Sequence, residues 1–174
     1  MFDFLMILLI LSTGGGSFDQ AATPDASALP TVAAAPTETN APAEDPPTYA
    51  AEQQVPSGKF TTAIEVKPIL TATRGNWVAL RDWDGQDLLY VTHLWSWRCG
   101  LVAMRVAIND ESYEDWPLPS CHEDTASPNA ILESDGLPYR AFPAGSVSRI
   151  LVEVTYDDLS VDRAEFERKA VMMP

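Results

Sequence analysis

Residues 76–94 read NWVALRDWDGQDLLYVTHL. Asp84-Gly85 sits between two runs rich in β-branched and aromatic residues. Both turn positions of a two-residue hairpin favour φ > 0, which suits Asp-Gly. A two-residue loop pairs Leu80 with Leu89 and Val78 with Val91, giving one apolar face. The opposite face carries Trp77, Ala79, Arg81, Tyr90 and Thr92. Large side chains on both faces suit a strand pair buried in a sandwich or at an interface.

The same period of two continues outward from this hairpin. Leu101 to Ile108 alternates, Asn109-Asp110 turns, and Glu111 to Leu118 returns. Ile150, Val152, Val154 and Tyr156 line one face of a third hairpin. Asp157 to Ser160 turns it, and Ala164, Phe166 and Ala170 line the returning strand. Between these pairs, Pro117 to Gly145 reads as long loops around a short strand at Ala130 to Leu132. No segment shows sustained helical periodicity. Short strands at this spacing predict an all-β, antiparallel β-sandwich, with the immunoglobulin-like arrangement as first choice.

Composition sets the boundaries of this domain. Residues 21–57 hold seven of the 14 prolines, five acidic residues and no Lys or Arg. Such a segment cannot bury enough apolar surface to offset its ordering entropy, and it reads as a disordered Pro/Ala-rich linker. Regularly placed proline makes it a semi-stiff spacer. Residues 58–174 hold all 11 basic residues, all five tryptophans and both cysteines, in a span large enough for one core. Residues 1–20 contain the apolar run Phe4 to Leu11 and resemble a secretory signal peptide, too short to span a bilayer. Asp3 stands where such a leader normally carries positive charge. No cysteine follows the run, so no lipid anchor is indicated. The chain carries a formal charge of −14. Without a Lys/Arg cluster it repels phosphate backbones, which argues against nucleic acid or an anionic membrane as partner.

Cys99 and Cys121 are the only cysteines. Two cannot build a structural zinc site alone, and the spacing is not C-x-x-C. A three-residue loop at Asn109 to Glu111 pairs Ile108 with Ser112, and the same ladder places Cys99 opposite Cys121. A two-residue loop offsets the pair by one residue, which a bulge corrects. In an exported chain a disulfide at the base of this hairpin is geometrically natural. The alternative is two buried free thiols.

Candidate chemistry is sparse. His93 follows a strand and reads as a packed residue. His122 lies in a long loop, and there is no G-x-S-x-G or H-E-x-x-H around it. Asp82, Asp84 and Asp87 bring three carboxylates to one turn. A weak calcium site there competes with a solvated hairpin tip, and the spacing is not that of an EF-hand. Glu111, Glu114 and Asp115 flank the next turn and have the same solvated reading. The tryptophans, Trp77, Trp83, Trp95, Trp97 and Trp116, fall within 40 residues. In Trp95-Ser96-Trp97-Arg98 the two indoles share one side of an extended segment. Exposed, they form a platform for a sugar ring or a protein partner; buried, they fill the core. Trp83, beside the tip, is the most exposed by position.

Three stretches carry a resemblance: Trp83 to Tyr90 running on to Trp97-Arg98-Cys99-Gly100-Leu101; Cys121 through Pro128-Asn129-Ala130-Ile131; and Phe166 to Ala170. Over roughly residues 59–174 the chain resembles a group of small, uncharacterised exported bacterial proteins. The resemblance implies export and a single cysteine pair, and transfers no functional residue. The sequence therefore reads as a periplasmic or secreted, non-catalytic binding module for a protein or glycan, with no cofactor beyond the calcium alternative. Its candidate contact residues are Trp83, Trp95, Trp97 and Arg98. The alternatives are a carbohydrate-binding module using the same indoles, and a hydrolase using His122.

Overall fold

The computed structural model describes residues 48–174, so the signal-like segment and residues 21–47 of the expected linker lie outside it. Two antiparallel sheets form the body. Strands β1 (Ala79–Trp83), β2 (Gln86–Tyr90) and β5 (Tyr139–Pro143) make a three-stranded sheet in the order β1-β2-β5. Strands β3 (Leu101–Ile108), β4 (Glu114–Asp115), β6 (Arg149–Tyr156) and β7 (Val161–Glu167) make a four-stranded sheet in the order β4-β3-β6-β7. Leu80 and Leu89 from the first sheet and Met104, Val106, Ile150 and Val152 from the second belong to one hydrophobic cluster.

The first hairpin follows its sequence pattern. Leu80 pairs with Leu89 and Trp83 with Gln86. Asp84 and Gly85 stand at φ 49° and 73°, the left-handed pair that this turn demands. The strand ends at Tyr90, however, where a strand to Leu94 was expected. Thr92–Trp95 is instead a single turn of helix, α2.

The second hairpin keeps its expected register but not its length. Arg105 lies opposite Asp115 and Val106 opposite Glu114. The Trp116 N–H donates to the Met104 carbonyl at 2.9 Å, one rung further. Pro117 and Pro119 then offer no N–H, and regular pairing stops. The chain nevertheless returns to the ladder's base, where Cys99 and Cys121 are joined by a disulfide with Cα atoms 5.0 Å apart. The long side of β3 pairs with β6, Val106 opposite Val152.

The third hairpin, β6–β7, places Ile150 opposite Phe166 and Val152 opposite Ala164. Ala170 does not continue the strand; it sits in the short helix α3 (Arg168–Val171). Ala130 to Leu132 is not a strand either, and the third strand of the smaller sheet is Tyr139–Pro143.

One true helix corrects the all-β reading. Helix α1 (Ala63–Ala72, AIEVKPILTA) buries Ala63, Val66 and Leu70. Its outward face is apolar as well, so the sequence shows no amphipathic stripe. Its N-terminus is held from a distance: the Ala63 N–H donates to Asp157 Oδ1 at 2.9 Å. Gln54 bridges the same point, donating to Asp157 Oδ1 at 2.7 Å and accepting from the Ile64 N–H at 3.0 Å. The Glu52 N–H reaches the Asp157 carbonyl at 2.8 Å. The last residues of the expected linker are thus bonded to the domain. At the other end, Trp77 Nε1 donates to the Leu70 carbonyl at 2.9 Å. Gly100 lets α1 approach β3: a Cβ there would lie 2.5 Å from a Val66 methyl and 2.9 Å from the Thr62 backbone.

Candidate functional site

The structure separates the candidate residues that the sequence groups together. Trp77, Trp95 and Trp116 are buried. Trp83 is 55% exposed beside the hairpin tip, its ring covered on one face by Arg81 at 4.2 Å. Trp97 is half-buried and meets Phe60 edge to face, ring centres 5.4 Å apart.

Arg98 is not a free contact residue. It is buried, and its guanidinium donates to the carbonyls of Trp95, Pro119, Ser120, Asn129 and Ala130 at 2.9–3.1 Å. It also reaches Asp135 Oδ2 at 3.3 Å. Five donors in a fixed fork suit this task, because four carbonyls of an irregular loop and one at the end of α2 need partners. His122 Nε2 joins the same carboxylate at 3.0 Å. The Leu132 N–H, then His122 and Arg98, hold Asp135 below the usual carboxylate range. Arg98, Asp135 and the disulfide therefore fix the segment from Trp116 to Pro138, which has almost no regular structure of its own.

Of the clefts walled by that segment, two hold a candidate contact residue, Trp97 or Trp95. The first, of about 470 Å³, lies between Phe60 and Trp97 on one side and Ser127 to Ala130 on the other. Phe60 is 40% exposed and stands at φ 59°, a conformation that a bulky residue adopts only under constraint. The constraint is visible. Asn129 Nδ2 donates to the Phe60 carbonyl at 2.8 Å, and Asn129 Oδ1 accepts from the Cys99 N–H at 3.1 Å. The Glu65 carboxylate gathers the N–H groups of Ser57, Gly58 and Thr61 and the Thr62 hydroxyl at 2.6–3.2 Å. Burial pushes Glu65 up, and these donors outweigh it, leaving the group below its ordinary value. The second cleft, of about 310 Å³, is bounded by Trp95, Trp116, Tyr139 and Arg140. Arg140 lies 4.3 Å over the Trp116 ring, and the buried Trp95 Nε1 has no acceptor on the protein.

The other candidates have structural partners. His93 Nε2 bonds the Thr73 hydroxyl at 2.8 Å, and burial lowers its affinity for a proton. Among the described residues the His122 ring bonds the Asp135 carboxylate and no serine or threonine hydroxyl. Asp87 lies opposite Asp82 in the hairpin ladder, but its carboxylate is taken up by other partners. It is fully buried, accepts a fork from Arg168 at 2.5 and 2.8 Å, and takes the Val147 N–H at 3.1 Å. The Arg168 bond is the main reason its carboxyl is held down to about 2. Asp82, Asp84, Glu111, Glu114 and Asp115 are exposed. Among the described residues no group of three or more His, Cys, Asp or Glu side chains gathers to hold a metal ion. None of the described helices is long and apolar enough to cross a membrane.

Sequence reasoning missed Phe60 and Asn129. Gly58, an aromatic two residues on, and Glu65 behind it were the available signal. Glu153 was missed too: it is buried between Arg105 and Arg163, with Arg163 Nε donating at 2.6 Å. No protein-family model, curated protein or solved structure matches the chain.

Proposed function

We propose that this chain is an exported, non-catalytic binding module, working in the periplasm or outside the cell, whose ligand seats on the Phe60–Trp97 cleft. The observation that carries this reading is Phe60. A bulky side chain is held half in solvent, at a positive φ, against a second aromatic ring. Strain of this kind costs on the order of 1–3 kcal/mol and persists where neighbouring structure over-determines it. Here Asn129, Glu65 and the disulfide supply that support, so the surface is built before a ligand arrives. The disulfide suits an oxidising compartment, which supports export. Two antiparallel sheets around a shared core support the sandwich reading, with the immunoglobulin-like arrangement as its finer form.

A glycan is the second reading. Lys59, Ser96, Ser127 and Asn129 surround the two rings, and polar groups rimming an aromatic face are what a sugar ring requires. The test compares Phe60→Gly and Trp97→Ala with the unmodified full-length chain. Phe60→Gly relieves the strain, so it should keep or raise the melting temperature while weakening capture of protein or oligosaccharide partners at least tenfold. Capture unchanged in both variants removes the cleft from the reading. Quenching of tryptophan fluorescence by cell-wall oligosaccharides that disappears in Trp97→Ala selects the glycan.

A further inference from the structure

The edge strands of the two sheets are protected unequally. The outer edge of β1 is covered by the C-terminus: the Met173 N–H donates to the Leu80 carbonyl at 2.7 Å, and Met172 bridges Leu80. Strand β4 is two residues long, and its Asp115 carbonyl takes Arg140 Nη2 at 2.9 Å. Along β7 the exposed side chains of Arg163, Glu165 and Glu167 carry charge, and Arg74 donates to the Arg163 carbonyl. Covered, short or charged edges resist pairing with other chains.

The outer edge of β5 is left open. The Val91 N–H donates to the Pro138 carbonyl at 2.8 Å, which fixes the phase of the β2–β5 ladder. Leu89 opposite Arg140 and Asp87 opposite Phe142 are then the hydrogen-bonded pairs. Tyr139 and Ala141 turn their N–H and C=O groups away from β2, and among the described residues none of these groups has a hydrogen-bond partner. Ala141 is exposed. The open stretch ends at Pro143, whose carbonyl takes the Ser146 N–H at 3.0 Å. Beside this edge lies the cleft bounded by Trp95, Trp116 and Arg140, with Leu137 65% exposed at its rim. A strand added along β5 would set alternate side chains on Arg140's side of the sheet, over that cleft.

We propose that β5 is a docking edge for an extended, basic peptide segment of another protein, which adds a fourth strand to the sheet β1-β2-β5. Donors and acceptors alternating along a strand edge are matched by another peptide main chain, and not by a sugar or an ion. Charge sets the sign of the partner. The chain carries −14, and Glu114 stands exposed at the neighbouring strand end, 3.9 Å from Arg140. A segment bearing Lys or Arg is drawn to such a surface, and an acidic one is repelled. A second copy carries the same −14, and residues 21–57 hold five acids and no base, so neither has the required sign. The edge shares no lining residue with the Phe60–Trp97 cleft and is independent of it.

The test is fluorescence anisotropy of a labelled synthetic heptapeptide, alternating lysine and valine, titrated with the full-length chain. Saturable binding is expected, at least tenfold weaker for the counterpart with glutamate in place of lysine. Two further peptides carry N-methyl groups on alternate amides, one on each edge of the strand. One of them should bind at least tenfold more weakly and the other nearly as well as the parent. Ala141→Pro removes an outward N–H without touching the β2 ladder, and should weaken binding at least tenfold at an unchanged melting temperature. Phe60→Gly should leave this binding intact, which separates it from the cleft reading. No saturation up to millimolar concentration overturns the proposal. So does equal binding of the glutamate peptide, or N-methylation that weakens both peptides or neither. A dimer of the unmodified chain that Ala141→Pro dissolves would make the occupant a second copy and overturn it as well.

Discussion

The hairpin β1–β2 and the segment Trp116–Pro138 are held by opposite means. The hairpin is specified by its own residues: apolar pairs on one face, and a turn whose two residues accept positive φ. The segment owes its shape to groups outside it, chiefly Arg98, the disulfide and Asn129. Local pattern thus dictates the scaffold, and long-range side-chain bonds to backbone dictate the surface that binding would use. Loops positioned by a rigid scaffold are where recognition commonly resides.

The sharpest way to break this contrast is to remove the hub. Arg98→Leu leaves five carbonyls without donors and Asp135 without its cation, a loss of about 3–5 kcal/mol. Urea denaturation should show it, and a change below 1 kcal/mol, on the order of a single exposed contact, would mean water replaces the guanidinium. Reduction of Cys99–Cys121 comes next. A loop of 22 residues contributes roughly 3 kcal/mol in the chain-entropy view. Amide exchange should quicken more in residues 116–138 than at β1 and β2, where only the loss of global stability is felt; equal quickening in both would erase the distinction between the two regions.

Acid gives a smaller effect and touches the scaffold. Asp87 has its carboxyl lowered from 3.8 to about 2 by Arg168. Its folded value lies below the unfolded one, so its stabilisation is present above the ordinary value and is lost as pH falls toward about 2. The depression corresponds to about 2 kcal/mol. Asp87→Asn should abolish that part of the acid dependence between pH 4 and pH 2, measured by denaturation at stepped pH. The smallest effect belongs to the hairpin tip: Trp83→Ala should shift stability by less than about 0.5 kcal/mol, because the ring is exposed.

Legibility in the sequence follows the same divide. The register of β1–β2, the ladder linking Arg105 to Asp115, and the cysteine pairing at its base were all readable, since each depends on residue spacing alone. Helix α1 was not readable, because Ile64 and Pro68 give its outward face the apolarity that marks a core face elsewhere. Strand β5 was hidden by its surroundings, with Pro138 before it and Pro143 at its end. Arg98 was unreadable as a hub because carbonyl acceptors leave no trace in residue type. Phe60 was hidden for a related reason: nothing in its identity announces a positive φ.

Asp157 gives the molecule a mechanical property. Its carbonyl takes the Glu52 N–H, while its carboxylate takes the Gln54 amide and the Ala63 N–H of α1. Tension drawn along residues 52–54 from the N-terminal side is therefore borne by hydrogen bonds that converge on Asp157, between β6 and the turn into β7, together with the Ile64 N–H bond to Gln54. The load divides there between a helix end and a sheet, and these bonds are the first to yield. Pulled from that side, the protein would release the strap at residues 52–54 before either sheet is strained.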